Sequence, residues 1–207
     1  MQEESFCSSF FECFLYYRCL CFVCCILKSM IYTFFLLGNP GEKYARTRHN
    51  IARILFSLIN NDIQKIEGVE IVVPDTYMNE SGKAVAEYIR YHEGREIVIV
   101  YDDKDLAYGT FRISHDRGDG GHNGVKNVIA SLGTKEFIRI RIGIAPHDTD
   151  GKEIKAPHGE AVQGYVMGQV SEREENSLRE ISPFVLDAIK TIAEEGYQKA
   201  MERYNGK

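Results

Sequence analysis

An apolar run from Ile31 to Leu37, interrupted by Thr33 alone, stops at Gly38-Asn39-Pro40-Gly41, and apolar positions resume at Ile51, Ile54, Leu55, Leu58 and Ile59. The first run predicts a buried strand and the second the inward face of a helix. Between them Pro40 fixes φ and Gly41 permits φ > 0, so the chain turns sharply. Asn60-Asn61-Asp62 predicts the end of that helix. Val69 to Val73 predicts a short buried strand stopped by Pro74. Ser81 to Tyr91 has the helical period, with Val85, Tyr88 and Ile89 inward. Ile97 to Tyr101 is a further apolar strand, and Gly109 to Ser114 alternates as a half-exposed strand does. Asp116 to Gly121 is a glycine-bearing loop. Asn123 to Leu132 predicts a helix with Val125, Val128, Ile129 and Leu132 on one side. Ile138, Ile140, Ile142 and Ile144 alternate with Arg139, Arg141 and Gly143. Residues 145–164 are rich in Pro, Gly, His and charge and predict a long loop of the kind that serves as a lid. The last helix opens on the capping box Ser171-Glu172-Arg173-Glu174. Its inward face is Ile181, Phe184, Val185, Ala188, Ile189 and Ile192, and Pro183 predicts a break or kink near Ser182.

Strands that alternate with helices define an α/β class. The 109–114 strand follows its predecessor after a short polar loop, so part of the pairing is expected to be antiparallel and the sheet mixed. No internal repeat and no second domain is evident.

A chain of 207 residues fits one domain, or one domain with an extension, and 44% hydrophobic residues suffice for a core. The net charge of -5 gives no global basic field, so a polyanionic partner needs a local basic patch. All six cysteines, Cys7, Cys13, Cys19, Cys21, Cys24 and Cys25, fall near the start, and their absence afterwards suits a reducing compartment. Cys21-Phe22-Val23-Cys24 has metal-like spacing, but no second pair or histidine follows at zinc-finger distance. The start is acidic at Glu3 and Glu4, unlike a secretory signal, and Cys19 to Leu27 is too short an apolar run to span a bilayer. Residues 1–29 are therefore expected to be a cysteine-rich apolar extension outside the fold, with the folded domain at 30–207, no membrane partner and a cytoplasmic setting.

The chemistry-bearing residues sit at strand-to-loop and loop-to-helix junctions. Asn39 follows the first strand, Asn79 follows the second, and Asp102 follows the third. His122 and Asn123 close the glycine loop. Junctions of this kind gather on one rim of an open sheet. Three amides, an imidazole and a carboxylate there suit a neutral polar substrate. His49 is the candidate base, because imidazole titrates near neutrality. Asp102 is the candidate partner for its other nitrogen, with Asp103 and Asp105 as runners-up in the same loop. No G-x-S-x-G elbow, Walker A sequence or H-E-x-x-H occurs, and the 118–124 run is not G-x-G-x-x-G. A protein nucleophile, a cofactor and a metal are thus not expected, and Ser81 reads as support for a helix start. Lys104, Arg112, Arg117, Lys126, Arg139 and Arg141 are candidate phosphate contacts.

Four collinear motifs carry a resemblance: Leu37 to Asn50, Pro74 to Gly82, Tyr101-Asp102-Asp103-Lys104-Asp105-Leu106 up to Gly109, and Gly120-Gly121-His122-Asn123-Gly124. Together they resemble the bacterial-type peptidyl-tRNA hydrolases, over about Ile31 to Tyr204. The resemblance implies a single-domain twisted mixed sheet with helices on both faces. It implies cleavage, by a His-activated water, of the ester between a peptide and the 3′ ribose of tRNA. It makes His49 the base, and places Asn39, Tyr44, Met78, Asn79 and Asn123 against the substrate. Lys104, Arg112, Lys126 and Arg141 become tRNA contacts, and the protein a monomer. Leu36 and Ala52 stand where the family usually has glycine. The 50–74 segment is shorter than usual, and Asp116-Arg117-Gly118-Asp119 alters the glycine-rich approach to His122. A non-catalytic RNA-binding module of the same fold, acting in RNA processing, is the alternative, and a generic esterase a weaker third reading.

Overall fold

The computed structural model describes residues 30–146, 157 and 159–205. The expectations for residues 1–29, and for most of the 145–158 segment, lie outside the described residues. The strands are β1 (Ile31–Leu36), β2 (Val69–Val72), β3 (Arg95–Ala107), β4 (Phe111–His115) and β5 (Ile138–Ala145). The helices are α1 (Ile51–Ile63), α2 (Ser81–Tyr91), α3 (Asn123–Leu132), α4 (Ala161–Val166), α5 (Glu172–Glu195) and α6 (Tyr197–Tyr204). The sheet order is β2-β1-β3-β5-β4, with only the β4–β5 pairing antiparallel. β4 therefore pairs with a strand later in the sequence and not with its predecessor.

The period-2 pattern sorts side chains onto two faces. Phe34, Leu36, Val98, Val100 and the four isoleucines of β5 join one core with α1, α5 and α6. Phe35, Leu37, Ile99 and Tyr101 join a second core with α2 and α3. Helices thus cover both faces. The chain goes outward from β1 to β2 and returns past β1 to β3. This reversal opens a crevice at the carboxyl ends of β1 and β3, where ligands bind in open α/β sheets.

Several expectations change. β2 is half-buried along its length, because it is the outer strand on its side of the sheet. α1 runs on to Ile63, which is buried and holds the last turn past Asn60-Asn61-Asp62. β3 continues well beyond Tyr101 by pairing with β5 through an irregularity between Asp103 and Ala107. A Cβ on Gly143 would stand 2.0 Å from the Ala107 carbonyl oxygen, so only glycine admits this crossing. The end of the expected 145–164 loop is the short helix α4. α5 opens on the capping box at Ser171 and Glu174, yet passes unbroken through Pro183. Pro183 has no N–H for the Arg179 carbonyl, and the Ser182 hydroxyl donates to that carbonyl instead, at 2.9 Å. Phe184 is exposed, one position off the buried stripe.

β4 is the sheet's outer strand on the other side. The Ile113 N–H donates to Asn205 Oδ1 at 2.9 Å, and Asn205 Nδ2 donates to the Ile113 carbonyl at 2.7 Å. A side-chain amide thus takes the place of a neighbouring strand at that point.

Candidate active site

A cleft of about 900 Å³ lies at the carboxyl ends of β1 and β3. Its walls include Asn39, His49, Met78, Asn79, Asp102, Lys104, His122 and Asn123, together with one side of α4. Asn39, His49, Met78, Asn79, His122 and Asn123 come from loops, 3₁₀ turns or helix starts, whereas Asp102 and Lys104 lie inside β3, which runs on past the expected strand end. A 3₁₀ turn, Arg48–Asn50, delivers His49 to the start of α1. A second, Met78–Glu80, delivers Asn79 to the start of α2.

Asp102 is the centre of the charge arrangement and is only 3% exposed. His49 Nδ1 lies 2.9 and 3.0 Å from its two oxygens, and His122 Nε2 lies 2.9 Å from Oδ1. The Val125 N–H donates to His122 Nδ1 at 3.2 Å. That bond fixes the His122 tautomer: Nδ1 accepts, so Nε2 carries the proton donated to Asp102. His49 likewise donates through Nδ1, which leaves Nε2 as a proton acceptor. Burial by itself would raise the Asp102 pKa, but the charges and hydrogen bonds of the two imidazoles outweigh it and hold the carboxyl far below the usual range. Burial lowers the His49 pKa, and the Asp102 carboxylate more than reverses this, so the net shift is upward. Tyr101, edge-on to His122 with centroids 4.8 Å apart, has its pKa pushed up to about 12, chiefly by burial, and stays a neutral phenol.

His49, Asp102 and His122 each present a ligand-type atom, all within 4.8 Å of one another. Their hydrogen bonds assign two N–H protons to the space between them. The chemistry this set supports is proton transfer, with Asp102 orienting a neutral His49.

The amides are set by the backbone. Met78 N–H donates to Asn39 Oδ1 at 2.8 Å, which turns Asn39 Nδ2 toward the cleft, where its partner among the described residues is Met167 Sδ at 3.9 Å. Asn39 Nδ2 is therefore a donor with a weak partner that a substrate carbonyl can displace. Asn79 and Asn123 are exposed on the cleft wall. Asn50 is buried and grips the Asn39 main chain, accepting its N–H at 2.7 Å and donating to its carbonyl at 2.9 Å.

Not every predicted residue reaches the cleft. Tyr44 packs edge-on against Tyr77, centroids 6.3 Å apart, and is not part of the cleft wall. Arg112 is exposed on β4 and Lys126 on the first turn of α3, both also off the wall. The Arg141 expectation is corrected: the side chain is buried and its Nη1 bonds Asp103 at 2.8 Å, because inward burial demands a counter-ion. Arg139 is fully buried, with its guanidinium over the Phe137 ring at 4.3 Å. Asp103, a runner-up for the base's partner, is thus spent on Arg141. His122 was legible as a rim residue but not as the second donor to Asp102. That role depends on α3 starting at Asn123 and turning the His122 ring inward, although the Gly120–Gly124 motif pointed to the place. Met167 and α4 on the cleft wall carried no sequence signal.

The model of the family described as peptidyl-tRNA hydrolase matches residues 34–207. The peptidyl-tRNA hydrolase of Thermotoga maritima is 36% identical over 184 residues, covering 82% of this chain and 94% of its own. That of Chloroflexus aggregans is 37% identical over 191 residues, covering 82% and 96%. Among solved structures, peptidyl-tRNA hydrolase from Acinetobacter baumannii superposes with a TM-score of 0.70 at 28% identity, covering 84% of this chain and 94% of that one.

Proposed function

Because the chain belongs to the peptidyl-tRNA hydrolase family, we propose that it hydrolyses the ester between a peptide, or an N-blocked amino acid, and the 3′ ribose of tRNA. The observation that carries the reading is the buried Asp102 carboxylate on His49 Nδ1 at 2.9 Å. It leaves Nε2 as the base. A water gives a proton to Nε2 while its oxygen attacks the ester carbonyl carbon. The tetrahedral intermediate collapses, the bond to the ribose oxygen breaks, and the imidazolium returns the proton to that oxygen. The products are a carboxylic acid and a tRNA with a free 3′ hydroxyl. Asn39 Nδ2 and the amides of Asn79 and Asn123 supply donors and acceptors for the peptide, the ribose and the developing oxyanion. Lys104 on the wall, and Arg112 and Lys126 beyond it, are the proposed phosphate contacts. They position tRNA without reading its sequence, as an enzyme acting on many tRNAs requires. The proposed unit is residues 30–207, acting as a monomer in the cytoplasm without a metal. Among the described residues no helix is long and apolar enough to cross a membrane.

The test is release of N-acetyl amino acid from N-acetyl-aminoacyl-tRNA by the purified protein and by His49→Ala. Removal of a general base is expected to cost about 10²- to 10⁴-fold in kcat. Undiminished turnover by the variant rules out the base. Salt-dependent RNA binding by the native protein without any ester cleavage replaces the reading with the RNA-binding module.

A further inference from the structure

The guanidinium of Arg53, in the first turn of α1, lies beneath the two loops that carry Asn39 and Asn79. It donates to four main-chain carbonyls: Leu36 at 3.4 Å, Asn39 at 3.1 Å, Gly38 at 2.7 Å and Pro74 at 2.7 Å. Leu36 is the last residue of β1, Gly38 and Asn39 belong to the segment after it, and Pro74 to the segment after β2. The fit is tight, since a Cβ on Gly38 would stand 2.6 Å from Arg53 Nε. One planar cation with five donors thus joins two loops that share no sequence neighbourhood. Across the same junction the Asn39 side chain accepts the Met78 N–H. Arg53 holds the main chain of both loops below this bond, and Asn50 holds Asn39 from the side.

We infer that Arg53 is a positioning residue for the hydrolysis, acting through the Asn39 and Asn79 loops and not through His49. The inference rests on the proposed function, in which these amides bind the substrate. Arg53 makes no bond to His49, Asp102 or His122, so the proton-transfer set is independent of it. Without the guanidinium the two loops lose one of their ties, four carbonyls lose a charged donor, and the bond from Met78 N–H to Asn39 Oδ1 is left to hold the amide pair.

The test compares Arg53→Met, which keeps the apolar stem and removes the donors, with Arg53→Lys, whose single ammonium reaches fewer carbonyls. Arg53→Met is expected to raise KM about tenfold, the worth of one or two net hydrogen bonds. kcat is expected to fall as well, because the same amides face the developing oxyanion, while the pH midpoint set by His49 stays unmoved, with Arg53→Lys intermediate. Hydrogen exchange at the Met78 N–H gives a readout independent of turnover. Its protection is expected to fall in Arg53→Met by more than that of the core amides of β3 and β5. A uniform loss of protection with unchanged KM makes Arg53 merely structural and overturns the inference. So does unchanged Met78 protection. If the native protein cleaves no ester, the proposed function fails, while the exchange measurement still decides whether Arg53 ties the loops.

Discussion

Nε2 of His122 stands 2.9 Å from Oδ1 of Asp102, the same oxygen that His49 approaches through Nδ1. Two imidazoles therefore share one buried carboxylate, and they are not equivalent. His122 has its second nitrogen committed to the Val125 amide, so it can only hold Asp102 in place. His49 has its second nitrogen available for chemistry. The asymmetry assigns their roles without reference to sequence order.

The pH profile follows from this pairing. His49 works as a base only when neutral, and its pKa lies above the ordinary 6.5. The acid limb of kcat/KM is expected to have its midpoint above that value. Asp102→Asn removes the charge but keeps the burial that favours neutral imidazole. The limb is then expected to move to lower pH, and the plateau to fall because the imidazolium loses its partner. A midpoint that rises or stays fixed in Asp102→Asn contradicts the assignment.

Stability should track the same groups with opposite signs. The raised pKa of His49 means that its protonated form stabilises the fold. This contribution is full below about pH 6.5 and is lost as pH rises through the native value. The depressed pKa of Asp102 gives a contribution present above about pH 3.8 and lost as pH falls toward the native value. Urea titrations of native protein and His49→Ala across this range check both signs. The native protein is expected to lose its advantage at alkaline pH.

His122 has a structural task that activity alone would hide. Its ring accepts the Val125 N–H as the N-cap of α3. His122→Ala is expected to cost about 1 kcal/mol through the cap, a fall of about 2–4 °C in Tm for a chain of this size. His122→Asn, with a side chain that caps well, is expected to recover the stability but not the activity. Calorimetry and the ester assay on both variants separate the two tasks.

The sheet was largely legible because its strands are apolar runs with period-2 sorting, and the α2 and α3 spans were read to the residue. What was missed lies where tertiary contacts override a local rule. Asp103, Lys104 and Asp105 look like a loop, yet the backbone keeps pairing because Gly143 admits Ala107. Arg139 and Arg141 look solvent-facing, yet Phe137 and Asp103 provide for them in the interior. Pro183 looks like a helix break, yet the Ser182 hydroxyl serves the orphaned carbonyl. The site was legible as residue types at junctions. The inward turn of His122 and the seat of Arg53 under two loops were not, since neither has a local pattern.

Gly82 tests how closely α2 and α3 must approach. A Cβ there would stand 2.2 Å from the Asn127 carbonyl oxygen, and the Gly82 N–H donates to Asn127 Oδ1 at 2.7 Å. Gly82→Ala forces the helices apart and is expected to destabilise by about 1–3 kcal/mol, as overpacking does. These helices begin beside Asn79 and Asn123, so KM is expected to rise as well. Urea unfolding and steady-state kinetics check the two parts.

Pro183 offers a gain. Pro183→Ala restores an N–H for the Arg179 carbonyl and is expected to stabilise the fold by about 1 kcal/mol or more, read as a higher Tm, given the cost of proline within a helix. In that background Ser182→Ala is expected to be nearly silent, whereas in the native chain it strands the carbonyl. A double-mutant cycle measures the coupling.

Asn205 makes the tail of the chain a guard against misassembly. Two bonds from one side chain occupy the main-chain donor and acceptor of Ile113 that would otherwise face outward from the sheet. A truncation that removes them bares a template for strand addition. Self-association would then begin at this border, whose residues are not part of the cleft wall, and cost solubility before it cost turnover.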